Sequence, residues 1–168
     1  MSAAGVGSNA IDIRRGERLS HALYGLIIVT ATLVAEKEHV DEASHALAVI
    51  IGTGAILFLA HTYSGIVAER VVASARLGSA RRRLVARDNL PVLFAIIVPA
   101  ALFTLVWMGP IALEGAYVAS IAFSLMALFG LGLYEGRIES MNWGLSLLSG
   151  IGAATIGVLV IAFETFLD

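Results

Sequence analysis

Few side chains in this 168-residue sequence are equipped for chemistry, and His61 leads them. It sits inside an apolar run and is followed by Thr62, Tyr63 and Ser64. At helical spacing, His61, Ser64/Gly65 and Ala68/Glu69 fall on one face, so His61 and Glu69 lie two turns apart. A neutral imidazole is a good ligand for divalent transition metals, and imidazole also serves in proton relays. Polar groups inside a membrane are costly and ask for a reason. The plainer alternative is a histidine hydrogen-bonded to a neighbouring helix, with Glu69 paired to Arg70 or Arg76; both readings stay open. A second group is acidic: Glu36, Glu38, His39, Asp41, Glu42 and His45 cluster between two apolar runs. Oxygen and imidazole suit hard and borderline cations, but the spacing matches no defined metal motif and also fits a solvated loop. Thr30 and Thr32 either bond back to their own helix or line a pore. Glu114 and Glu164 fall at segment ends and need no function.

Much else is excluded. With no cysteine there are no disulfides, thiolate metal sites or cysteine nucleophiles. Phosphate-binding glycine loops, the Gly-x-Ser-x-Gly elbow and the zinc-protease His-Glu-x-x-His are all missing. No catalytic residue and no bound cofactor is expected; a divalent metal ion enters only as a candidate substrate.

The elements that position these residues are apolar and long. The chain is 58% hydrophobic and 14% charged, where a soluble domain carries roughly a quarter of its residues as charges. So large an apolar excess cannot be hidden in a small globule and must face lipid. Runs of about twenty residues mark membrane helices. Five occur, at approximately 19–35, 45–69, 91–108, 111–134 and 143–166. Pro91 suits a first helical turn, and Pro99 is expected to kink the third segment. The fold class expected is all-α integral membrane, with residues 1–18 as a tail and 19–168 as a single five-helix domain. The stretch 70–90 is an Arg-rich linker in which Arg76, Leu77, Arg83, Leu84 and Arg87 suit a short helix continuing the second segment. The first eighteen residues lack an apolar h-region, so no cleavable signal peptide is expected.

Charge sets the orientation. The tail (Arg14, Arg15, Arg18), the 70–90 linker (six Arg) and Arg137 fall on one side, and Lys37 stands alone on the other. By the positive-inside rule the N-terminus is cytoplasmic and the C-terminus outside. Beside a membrane the Arg-rich linker reads as a topology signal and a contact for anionic headgroups, with no nucleic-acid partner. The Ala-, Gly- and Arg-rich composition suggests a bacterial cell membrane, crossed several times. Small residues recur at four-residue spacing in the fourth segment (Ala112, Ala116, Ser120, Ser124) and in the fifth (Ser149, Ala153, Gly157; Ser146, Gly150, Ala154). Such stripes let helix backbones approach in lipid, within one chain or between two.

The order of segments, with Tyr24-Gly25-Leu26 near the start, Ala60-His61-Thr62-Tyr63-Ser64 in the second segment and Ala127-Leu128-Phe129-Gly130-Leu131-Gly132-Leu133-Tyr134-Glu135-Gly136-Arg137 before a Gly-rich last segment, resembles the vacuolar iron transporter family. The resemblance implies a dimeric five-helix fold with ions passing between paired first helices, which would put Thr30, Thr32 and Glu36 on the route. Where the family has Asp-Gly after its opening Tyr-Gly, this chain has Ile27-Ile28-Val29, and His61 or Thr62 replaces the Glu of the second helix. The family's Glu- and Met-rich cytoplasmic metal-binding helices are absent, so no iron ligand carries over by position.

The reading placed first is transport of a small ion, a divalent metal cation above all, by a homodimer, with His61, Glu69 and Glu36 as candidate metal positions. The alternative is a non-transporting membrane interaction or regulatory subunit. An intramembrane enzyme comes last, since no paired acid or nucleophile occurs at one depth.

Overall fold

In a computed structural model of the protein, the backbone is described for residues 3–37, 42–74, 76–139 and 141–167, and side chains are described from residue 16 to residue 166 within those stretches. Six helices account for nearly all of it: α1 (Ala3–Lys37), α2 (Ala43–Ala73), α3 (Ser79–Asp88), α4 (Pro91–Met108), α5 (Leu113–Ile138) and α6 (Trp143–Leu167). Five of them contain stretches long and apolar enough to cross a membrane: Gly16–Lys37, Ala43–Ala73, Pro91–Met108, Leu113–Ile138 and Trp143–Phe166. The protein is all-helical among the described residues and is a multi-pass membrane protein. Ile56, Leu59, Phe94, Met126, Leu148 and Phe163 are each more than 60% exposed, a surface that water does not tolerate over such an area. Trp107 lies in the last turn of α4 and Trp143 opens α6, and indole rings favour membrane–water boundaries.

The helix boundaries follow local chemistry. Residues ahead of the first apolar span are helical too: Ala3–Lys37 is one helix with no proline to interrupt it, and its membrane-length apolar part begins at Gly16. α2 stops at Ser74, whose φ of 47° puts it in the left-handed region, and the chain then turns back. α3 is therefore a separate helix folded against α1 and α2, and not a continuation of the second segment. Asn89 closes α3, with its side-chain Nδ2 donating to the Val85 carbonyl at 2.9 Å. Pro91 occupies the first turn of α4, which runs unbroken through the buried Pro99 to Gly109 at φ 98°; a side chain there would strain the turn. Asn142 Oδ1 accepts from the Leu145 amide at 2.9 Å and caps α6.

α1 lies at the centre, packed against all five other helices, and no residue from Gly25 to Glu36 is exposed. Leu26, Val29 and Leu33 meet Ile50 of α2, Phe103 of α4 and Tyr117 and Leu128 of α5 in one apolar core. Phe103 and Tyr117 pack edge to face at 4.7 Å. The small-residue stripes of α5 and α6 are used within the chain. A Cβ on Gly136 would lie 2.7 Å from Ser146 Cα, one on Gly132 2.8 Å from the Ser149 carbonyl oxygen, and one on Gly150 2.9 Å from that of Phe129. Backbones this close gain dispersion along the whole hairpin, the main attraction available in lipid.

Candidate functional site

A group of ionisable side chains lines a cavity at the arginine-rich end of the bundle. Near the start of the apolar part of α1, Glu17 and His21 face the C-terminal half of α2, which supplies His61, Ser64, Gly65, Ala68 and Glu69. The α2 residues are those that helical spacing places on one face. α3 closes the third side with Val85, Asp88 and the following Asn89. Together they line a cavity of about 310 Å³. Its floor is set by a close approach: Gly65 leaves room for Val85, whose Cγ1 would be 2.9 Å from a Cβ at that position.

Two imidazoles form the centre. The rings of His21 and His61 meet edge to face at 5.2 Å between centroids, and Tyr24 tilts against His61 at 5.0 Å. His61 Nδ1 lies 2.9 Å from the Leu57 carbonyl oxygen. A carbonyl only accepts, so Nδ1 carries the proton of the neutral ring and Nε2 carries the lone pair. His21 Nδ1 is buried with no hydrogen-bond partner among the described residues, as are Asn89 Oδ1 and Thr62 Oγ1. Asn89 is 3% exposed, and a buried acceptor left unpaired costs about 1–3 kcal/mol.

Two ion pairs brace the rim. Arg18 reaches Asp88 at 2.7 Å, and Arg81 reaches Glu69 at 2.7 Å. The Glu69 carboxylate, hydrogen-bonded to Arg81, raises the guanidinium pKa above its ordinary value. Three carboxylates, two of them paired with guanidiniums, thus surround two imidazoles and an amide. The lining is rich in acceptors, and that suits a cation or a proton.

The expected site residues are thus divided. His61 and Glu69 share the cavity, and the partner of Glu69 is Arg81, neither Arg70 nor Arg76, because the turn after Ser74 brings α3 back along α2. Glu36 lies at the opposite end of α1, where Tyr117 Oη approaches its backbone carbonyl at 3.5 Å. Thr30 and Thr32 bond back to their own helix, at 2.7 Å to Leu26 and 3.0 Å to Ile28. Thr30 is wholly buried in the core. From Gly25 to Glu36, α1 is buried or half-buried by its own chain, with Ile27, Ile28, Ala31, Thr32, Ala35 and Glu36 half-buried. Glu38, His39 and Asp41 lie outside the described residues. Among the described residues no three His, Asp or Glu side chains come together closely enough to hold a metal ion.

Sequence reasoning passed over His21, Glu17, Asp88 and Asn89. One signal was available: His21 and Tyr24 are three residues apart, on one helical face at the edge of an apolar run. Compared with known proteins, the chain matches no family model, no curated protein and no solved structure.

Proposed function

We propose that this chain transports a small cation across a cell membrane, with the His21–His61 cavity as its entry site on the cytoplasmic side. The observation that carries the reading is the meeting of two imidazoles and three carboxylates in one cavity at one end of a membrane-spanning bundle. Intramembrane ionisable groups are expensive and mark ion or proton pathways. Orientation comes from charge: the arginines of the tail, of α3 and at position 137 share the cavity end. A divalent transition metal is the first candidate cargo by ligand chemistry, since His61 Nε2 and carboxylate oxygens are its donors. As no preformed three-ligand cluster is present, the metal would enter still carrying water ligands. A proton uses the same two rings. The homodimer remains part of the proposal.

The test is flux into proteoliposomes holding the purified protein. Fe²⁺, Mn²⁺, Co²⁺ and Zn²⁺ are offered with and without a pH gradient, to wild type, His21→Ala and His61→Ala. Saturable uptake of one cation that both variants lose supports the reading, whereas uptake that survives both substitutions removes the cavity from the pathway.

A second reading has its own observation. Between the cavity and the far end of the bundle, Val29, Thr30, Leu33, Phe103 and Tyr117 are each at most 2% exposed, so the core is closed. A closed core suits an interaction or regulatory subunit that binds a cation without passing it. It equally suits one state of an alternating-access transporter. Cation binding by the purified protein with no flux in liposomes would favour the subunit.

A further inference from the structure

On the side of the bundle formed by α1, α4 and α5, a lateral groove of about 430 Å³ is lined by Ala22, Leu26, Phe94, Phe123, Ala127 and Gly130 among other apolar residues. The trough is made by small residues, and the two phenylalanine rings stand at its walls. Gly130 has nothing within 4 Å of where its Cβ would be, so the groove is open space and not a packed seam. At the arginine-rich end it continues, through the shared Ala22, into a second depression lined by Arg18, Leu19, Pro91 and Tyr134. The whole feature has an apolar body and a mouth with one guanidinium and one phenol.

Its length is informative. Along α1 from Arg18 to Leu26 the helix rises about 12 Å, and along α5 from Tyr134 to Phe123 about 16 Å. Half of a bilayer's hydrocarbon core is about 15 Å. The groove therefore spans one leaflet, from the headgroup level inward. We infer that it is a binding site for one anionic phospholipid of that leaflet, an acyl chain lying between Phe94 and Phe123 and the phosphate meeting Arg18 at the mouth. The Arg18 side chain is 48% exposed even with Nε and one Nη engaged by Asp88, so its guanidinium keeps donors for a phosphate, and the ion pair at 2.7 Å ties the mouth to the rim of the polar cavity. The inference is independent of whether an ion crosses the bundle.

The experiment is native mass spectrometry of the purified protein titrated with phosphatidylglycerol or phosphatidylcholine of identical acyl chains. Wild type is expected to take its first phosphatidylglycerol at least tenfold more tightly than phosphatidylcholine. Gly130→Phe, which fills the trough, weakens that first binding for both lipids at least tenfold, with folding checked by circular dichroism. Gly130→Leu gives the same direction should the phenylalanine prevent folding. Arg18→Gln abolishes the headgroup preference while leaving phosphatidylcholine binding unchanged. Asp88→Asn, which breaks the same ion pair but keeps the guanidinium, retains the preference. Equal affinity of wild type for the two lipids overturns the inference, and so does wild-type binding by both Gly130 variants. A dimer that Gly130→Phe dissociates overturns it too, since a second copy would then occupy the groove.

Discussion

His21 and His61, forty residues apart in the sequence, meet edge to face with ring centroids 5.2 Å apart. The contact joins the first turns of the α1 membrane span to the far half of α2, and it is the only place among the described residues where two imidazoles touch. His21→Ala and His61→Ala are each expected to reduce cation uptake at least tenfold in liposomes, and the double variant no further, because the two rings act as a unit. Additive losses in that double-mutant comparison would show two independent sites.

Glu69 and Arg81 separate a structural from a ligand role. Glu69→Gln is expected to lower uptake. The exchanged pair Glu69→Arg with Arg81→Glu is expected to restore the docking of α3, seen as protected amides over residues 79–88 in hydrogen exchange, yet not the uptake. If the exchanged pair transports normally, the carboxylate serves only to hold α3.

Gly65 is where α3 rests on α2. A side chain there would meet Val85 Cγ1 at 2.9 Å from Cβ alone, and overpacking of this kind costs typically about 1–3 kcal/mol. Gly65→Leu is expected to speed hydrogen exchange in α3 selectively while α5 and α6 exchange as before. Unchanged protection over residues 79–88 would mean that α3 is held by its ion pairs alone.

The α5–α6 hairpin is predicted to tolerate side chains unevenly. Gly132→Leu and Gly136→Leu drive a side chain into backbone atoms of α6 less than 3 Å away and should lower the melting temperature in detergent by several degrees. Gly115→Ala and Gly152→Ala, which meet nothing within 4 Å, should leave it unchanged. Equal sensitivity at all four positions would contradict the packing described.

Orientation is open to a direct check because the chain has no cysteine. Single substitutions Ser79→Cys and Ser44→Cys place thiols on exposed residues at opposite ends of the bundle. In intact bacterial cells an impermeant maleimide is expected to label position 44 and not position 79. The reverse pattern would invert the topology.

The five spans were legible because twenty-residue apolar runs in a chain this poor in charge admit few other readings. The bounds were less so: apolarity ends before the helix does, and α1 and α2 extend beyond what lipid contact requires. α3 was visible only as a possible extension of α2, since nothing in the residues around Arg76 announces the left-handed turn at Ser74. The cavity was half legible. Helical spacing put His61 and Glu69 on one face, but periodicity within a helix says nothing about which helix lies opposite, so His21, Asp88 and Asn89 stayed unseen. For Thr30 the sequence left two roles open, and its bond to the Leu26 carbonyl now accounts for its hydroxyl.

The length of α2 has one more consequence. Its 31 residues rise about 46 Å, against a hydrocarbon core of about 30 Å, so even a tilted α2 stands out among the headgroups. With the arginine-rich end cytoplasmic, as proposed, the cavity mouth samples ions already enriched by the charged leaflet. A surface of about −30 mV concentrates a monovalent cation about threefold and a divalent one about tenfold over bulk. The same cavity would then show an apparent affinity that varies with the lipid around it, falling in neutral bilayers and in high salt with no change in the protein.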